Sequence, residues 1–323
     1  MTPLIRLSKH VFRTLMKHLP FVVALLLGVS TLVLNAQSIF KKTDNWFAPA
    51  DSLNTTRRNI VVTSHGLLGG GTLYLLGQTW YSKHQQNDFH LYNDNTEWLQ
   101  MDKMGHVFST YTLTKHTANM YKWAGIDHNS SAIYGSIVGF TFVSAIEILD
   151  GYSEQWGFSY GDMLANLGGS AFYLGQELLW NEQRIQFKYS FHTTPYANRR
   201  PELLGATLSE QMLKDYNGQT YWISANLHSF FQSKYIPKWL NISLGYGAEG
   251  MLTGHQALVN YIFLPEKQRF RQFYLSFDVD LERIETKSHL LKTIFSIINT
   301  IKIPAPTLEY NTKGKFIFRP LYF

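Results

Sequence analysis

At 323 residues, 45% hydrophobic and 15% aromatic, the chain can form one large domain or two modest ones with a real core, so it is not a disordered tail, nor by composition alone a polytopic membrane protein. Its formal charge of +6 misleads: Arg6, Lys9, Arg13 and Lys17 fall in residues 1–36, which hold no acid, and without those four the rest carries +2, no footprint for nucleic acid. The absence of cysteine excludes disulfides, thiolate metal sites, a cysteine nucleophile and a lipidated cysteine anchor.

Residues 1–36 read as a secretory signal. A basic stretch ends at Lys17 and His18, an apolar run extends from Leu19 to Leu34, and Asn35-Ala36 precedes Gln37, the expected mature N-terminus. An uncleaved anchor is the alternative, since the run is near the lower length for a span. Residues 37–58 form a polar lead-in. Asn59 to Tyr81 is apolar and glycine-rich. Gly69, Gly70 and Gly71 would each cost a helix about 1 kcal/mol, which predicts that another element packs close against them. Residues 82–100 read as an irregular polar connection.

Asp102 to Trp123 is predicted helical, with His106, Ser109, Leu113, His116 and Met120 on one face. Ala132 to Leu149 is a second, strongly apolar helix with Gly135 and Gly139 on one stripe. Ser159 is placed as the N-cap of a third, reaching about Trp180 and carrying Asp162, Asn166, Gly169 and Tyr173 on one face. Beyond it the period changes. Residues 184–192, 221–231, 239–247, 273–285 and 315–323 alternate as strands, interrupted by a helical segment from Ser288 to Ile301. The expected organisation is a signal peptide at 1–36, a helical domain at 37–182 and a β-rich region at 183–323. The fold class is α+β: an N-terminal glycine-rich helical bundle followed by an antiparallel β-rich part.

Polar residues stand out where apolar ones dominate. Asp102 and His106 are i and i+4, so a carboxylate can orient an imidazole and raise its pKa. Glu147 and Asp150 end an apolar helix, the wrong end for anions, and a buried Glu147 there needs a donor, a proton or a cation. Asp162 is also the natural acid of a capping box. Asn166 is disfavoured in mid-helix by propensity, which points to a hydrogen-bonding role. If the three helices pack, these groups meet. They can then form a closed structural network, an acid–base site, or a site for a divalent cation. The first is favoured, because the spacing matches no zinc, calcium-loop or HExxH pattern. Gly69–Gly71 lacks the Lys-Ser/Thr ending of a phosphate loop.

The ordered set DKMGH at 102–106, an acid followed by DGYSEQWGFSYGD at 150–162, and AN-x-x-GS at 165–170 resembles the YfiM-type family of predicted periplasmic lipoproteins, a domain of unknown function. It also faintly resembles VanZ-like membrane proteins. The likeness covers about residues 95–182, and longer members carry stretches like KDYNGQTYW at 214–222 and KIPAPTLEY at 302–310. It implies Asp102, Lys103, His106, Glu147, Asp150, Asp162, Asn166 and Gly169 as motif residues, and an envelope location, but no established activity. Since the sequence has no cysteine, anchoring would come from elsewhere or be absent.

Together these features describe an exported envelope protein of the periplasm or outer membrane, non-catalytic, with a structural or binding role. Its partners are membrane or envelope components, not nucleic acid. The alternative is a hydrolase or transferase acting on lipid or cell-wall substrate, with His106 as base and Glu147 or Asp162 as acid or metal ligand. The alternating strands and terminal Phe323 suggest an outer-membrane barrel. Against it, Arg319 shares a face with Leu321 and Phe323, and five strands are fewer than the smallest barrel needs. A periplasmic sheet packed on the helices is the rival.

Overall fold

The computed structural model describes residues 41–79, 86–154, 156–255 and 268–323. The expected signal segment lies outside them. The described residues 41–48 and Lys287–Leu291 form a small unit of their own, in which Asp44 accepts from the Leu290 N–H at 2.9 Å. The larger unit holds the helical bundle and the sheet.

Helix α1 spans Thr55–Thr79, α2 Met101–Trp123, α3 His128–Asp150 and α4 Tyr160–Trp180. Helices α2, α3 and α4 pack tightly together because small residues let their backbones approach. A Cβ at Gly135 of α3 would lie 2.7 Å from the Thr114 carbonyl of α2, one at Gly139 would collide with the Thr114 hydroxyl, and one at Gly169 of α4 with the Val107 carbonyl. The close packing expected against the glycines of residues 69–71 does not form, and a glycine-rich N-terminal bundle is not confirmed. Gly66, Gly70 and Gly71 of α1 face open space, and Gly69 makes only ordinary contact with Phe142 at 3.5 Å. Helix α1 instead touches α2 through the buried Val61 and through His65, whose Nε2 lies 2.9 Å from the Thr117 hydroxyl.

The buried face of α2 also differs from expectation. Thr110, Tyr111, Thr114, Lys115, Thr117, Ala118 and Tyr121 are buried, while Ser109 is exposed. The stripe is set by small hydroxyl side chains that admit the α3 and α4 backbones, so apolarity does not mark it. Among the described residues α3 is the one helix long and apolar enough to cross a membrane. Its inner face is Ser131, Gly135, Ser136, Gly139 and Ser144, and Ile133, Tyr134, Ile137 and Ile148 are exposed.

Before α2 the chain makes a left-handed turn. Trp98, Leu99 and Gln100 have φ of 46°, 52° and 63°, each costing about 1–2 kcal/mol in a residue with a Cβ. The turn is held by bonds to the Leu99 carbonyl from Arg271 Nη1 at 2.8 Å and from the Tyr246 hydroxyl. It fixes the course of the loop that carries Asp94.

After α4, six strands form one antiparallel sheet in the order β1-β2-β3-β4-β5-β6: β1 Ile185–Phe191, β2 Gln219–Asn226, β3 Leu240–Glu249, β4 Phe270–Val279, β5 Ala305–Asn311 and β6 Lys315–Tyr322. The fold is thus mixed helix and sheet, with β5 as a strand the alternation did not mark. Residues 227–231, read as the end of a strand, form the short helix Leu227–Phe231, capped by Asn226 accepting from the Ser229 N–H at 2.9 Å. A helix α5, His289–Ile298, lies between β4 and β5 in the chain. On the outer side of β1 and β2, Tyr189 stacks with Phe108 of α2, Tyr221 packs on it at a tilt, and Phe187 packs against Tyr111 and Phe172.

Candidate functional site

One end of the bundle collects charge. Asp102, Lys103 and His106 sit on the first turns of α2, Glu147 on the last turn of α3, and Asp162 and Asn166 on the first turns of α4. The start of α4 sets the geometry. Ser159 is its N-cap, accepting from the Asp162 N–H at 3.1 Å. The second arm of a capping box is missing: the Ser159 N–H is taken by the Glu147 carboxylate instead. Glu147 thereby finds the donor its position demanded, at a helix N-terminus where an anion is favourable. Asp162 is released to turn toward α2.

There the Lys103 ammonium stands among three carboxylates, 2.6 Å from Asp94, 2.8 Å from Asp162 and 3.3 Å from Asp102. His106 Nδ1 donates to the Asn166 amide oxygen at 2.9 Å, which also accepts from the Thr110 hydroxyl at 3.2 Å. That fixes the imidazole with Nε2 facing Asp162 at 3.7 Å and Asp102 at 4.0 Å. Tyr216, from the segment before β2, donates to Asp102 at 2.5 Å, and the Ser159 hydroxyl donates to Asp94 at 2.6 Å. The cluster is not sealed: the side chains of Asp102 and His106 keep 25% and 17% of their exposure.

Four acids face two bases here, and the protonation equilibria reflect it. Burial pushes Asp162 up to about 8, reinforced by the Asp102 charge and only partly offset by His106 and Lys103. Burial likewise lifts Glu147 to about 7, against the pull of the Ser159 N–H. Burial alone would lower His106, but Asp102 and Asp162 outweigh it and raise it above the usual imidazole value. Asp94 is also desolvated, yet bonds from Lys103 and Ser159 bring it below the ordinary carboxylate range.

Of the residues singled out in the sequence, Asp102, Lys103, His106, Glu147, Asp162 and Asn166 come together. Asp150 lies one turn beyond Glu147, and its charge contributes to raising that group. Gly169 serves close packing of α4 on α2 rather than the cluster. Sequence reasoning missed Asp94, in a loop without periodicity, and Tyr216, more than a hundred residues from Asp102. The stretch KDYNGQTYW, quoted for its family likeness, held the signal for Tyr216. For a metal, donor atoms of Asp102, His106 and Asp162 lie within 4.8 Å of one another. The Lys103 ammonium already stands against the same two carboxylates, 2.8 Å from Asp162 and 3.3 Å from Asp102.

Residues 88–176 match the family described as "Predicted periplasmic lipoprotein (DUF2279)". The match agrees with the resemblance drawn from the three motifs and covers the whole cluster except Tyr216. The VanZ likeness is not confirmed. No curated protein and no solved structure matches the chain.

Proposed function

From a chain whose residues 88–176 match a family described as periplasmic lipoproteins, we propose an exported envelope protein, carried out by its first 36 residues and held at the outer membrane, with a structural or binding role rather than a catalytic one. One observation carries the non-catalytic reading: every hydroxyl in the cluster is committed. Ser159 caps α4 and bonds Asp94, Thr110 bonds Asn166, and Tyr216 bonds Asp102. None is paired with His106 as an activated nucleophile would be. The 323 residues hold no cysteine to carry an acyl anchor, so attachment is assigned to the sheet.

A second reading, a hydrolase or transferase using His106 as base and Glu147 or Asp162 as acid, is favoured by the titration of Glu147 and Asp162 near neutrality. His106→Ala separates the two. In a structural network it should destabilise the fold by about 1–3 kcal/mol, leaving Asn166 and two carboxylates without their partner, and complementation of a deletion strain should fall with stability. A variant that melts like wild type yet fails to complement would overturn the non-catalytic reading.

A further inference from the structure

The sheet has its polarity reversed. Across β2 to β6 one row of paired residues reads Ile223, Leu244, Leu275, Leu308, Phe318, and all five are exposed. The neighbouring row, on the opposite face, reads Ser224, Ser243, Ser276, Thr307, Arg319, and its first four members are at most 4% exposed. Asn241, Gln272, Asp278, Glu309 and Asn311 are buried on that same face, while Ile242, Phe273, Phe277, Tyr310 and Phe316 are exposed on the other. A one-sided antiparallel sheet in water has the opposite arrangement.

The apolar face is convex. In a flat sheet β2 and β6 would lie about 19 Å apart, four spacings of about 4.8 Å. Yet the Thr220 hydroxyl of β2 is 3.1 Å from the Tyr322 hydroxyl of β6, and Ser224 of β2 bonds Asp278 of β4 at 2.7 Å. The sheet therefore curls around its polar side chains. A register shift opposite Ala305 and Thr307 turns both Arg319 and Tyr322 inward: Arg319 pairs with Glu309 at 2.6 Å. The expected clash of Arg319 with the faces of Leu321 and Phe323 disappears, and both apolar residues stay on the exposed side.

We propose that this convex face of β2–β6 is seated against the acyl chains of a phospholipid bilayer. This rests on the envelope reading and names the partner of the sheet. Strands β3 and β4 are ten residues each; their ends at Tyr246, Ala248 and Arg271 lie under the Trp98–Met101 turn, and the outward residues from Leu240 to Leu244 and from Phe273 to Val279 leave about 13–20 Å of apolar strand, the depth of about one acyl leaflet. A protein partner fits less well. The outward positions 242, 244, 273, 275, 277, 308, 310, 316 and 318 carry no charge, and the Tyr310 hydroxyl is the one side-chain hydrogen-bonding group among them, whereas protein interfaces have a polar rim. A groove of about 320 Å³ between Leu275, Phe277, Pro306, Leu308 and Phe318 has the form of an acyl-chain seat. The β1 edge is not left open: Tyr189 exchanges backbone bonds with Thr300 and Lys302 at 2.9 Å each.

Because the sequence lacks cysteine, single substitutions Leu244→Cys, Leu275→Cys and Leu308→Cys, with Ser209→Cys as an exposed control, can each carry one environment-sensitive fluorophore. The purified full chain is reconstituted in phosphatidylcholine vesicles with brominated acyl chains. Labels at 244, 275 and 308 should be quenched several-fold more by the brominated lipid than the label at 209, and less by aqueous iodide. Equal iodide quenching at all four sites overturns the proposal. So does protection of the three from iodide without quenching by lipid, which would mean a second copy or another protein covers the face. Unlabelled wild type is the check on folding: it should float with vesicles after a carbonate wash, and a monodisperse soluble wild type without detergent also overturns the proposal. Recovery of the cellular protein in the cytosol, with the labels still quenched by lipid in vitro, would refute the envelope reading alone.

Discussion

Two lysines, the buried Lys188 and the half-buried Lys103, sit among carboxylates in this molecule, and their acceptors differ. Inside the curled sheet, Lys188 of β1 has Asp278 at 2.8 Å, the Val279 carbonyl at 2.8 Å and the Asn299 amide oxygen at 2.9 Å. Three acceptors meet three donors, one of them charged, and both partners of the ion pair are fully buried. At the end of the helical bundle, Lys103 has three carboxylates and no neutral acceptor. The first arrangement matches each ammonium donor to an acceptor, and a second ammonium, Lys302, lies 3.9 Å from Asp278. The second is short of positive charge, which protons on Asp162, Glu147 and His106 supply. A lysine is thus a filler where its acceptors are matched to it, and part of a titrating site where they outnumber its charge.

The comparison is broken most directly by removing each ammonium. Lys188→Ala leaves Asp278 buried with Lys302, at 3.9 Å, as its remaining ammonium, and should cost about 3–5 kcal/mol in a denaturant titration in detergent. Lys103→Ala acts on a cluster that water can reach and that can take up another proton, so about 1–3 kcal/mol is expected. A divalent cation in millimolar excess should then raise the melting temperature of Lys103→Ala, and leave Lys188→Ala unchanged, because only the first opens a partly solvated carboxylate set. Equal losses for the two variants, or no cation effect on either, would erase the distinction between the two lysines.

Packing gives a comparison of the next size. Gly139→Ala puts a methyl group onto the Thr114 hydroxyl and backbone and should destabilise by about 1–3 kcal/mol. Gly70→Ala meets open space and should stabilise by up to about 1 kcal/mol through helix propensity. A destabilised Gly70→Ala, by thermal melting in the same detergent, would mean that α1 is packed more closely than its geometry indicates.

These cases also locate what could be read from the amino-acid sequence. Helix α4 was legible in detail, because Ser159 and Asp162 are a local signature whose meaning needs no tertiary partner. Helices α2 and α3 were legible from periodicity, but the buried face of α2 was not: Thr110, Thr114 and Thr117 are chosen by the backbones beside them. The three adjacent glycines of α1 misled, since a glycine does not say whether it permits a close approach or merely tolerates one. The polar set on α2, α3 and α4 could be nominated from carboxylates standing in apolar helices. Asp94 and Tyr216 could not, because a loop acid and a distant tyrosine join it only through the fold. In the sheet, alternation was plain, yet which face meets water was hidden, and the register shift in β6 reversed the side assigned to Arg319.

The smallest effect is the most specific to the helical cluster. Asp162 is raised from its ordinary value to about 8, Glu147 to about 7, and His106 above 6.5. Each group binds its proton more tightly folded than unfolded, so between the unfolded and folded values the native state holds more protons. Stability then declines with rising pH. The contribution is complete below about pH 4 for the carboxyls and below about pH 6.5 for His106, and it is lost as pH passes the folded values. Asp94 is lowered, so its contribution is lost only in acid and does not oppose this slope above about pH 5. Burial lowers His116 to about 4 and also lowers His192, which opposes the slope below about pH 6.5, so the unfolding midpoint of wild type should fall from about pH 6.5 to about pH 8. Asp162→Asn keeps the shape of the side chain and removes the largest of the raised carboxyls, so its midpoint should fall less over the same range and exceed that of wild type at the alkaline end. A wild-type midpoint that rises with pH over that range, or an Asp162→Asn curve parallel to wild type, would show that the helical cluster is closed in charge.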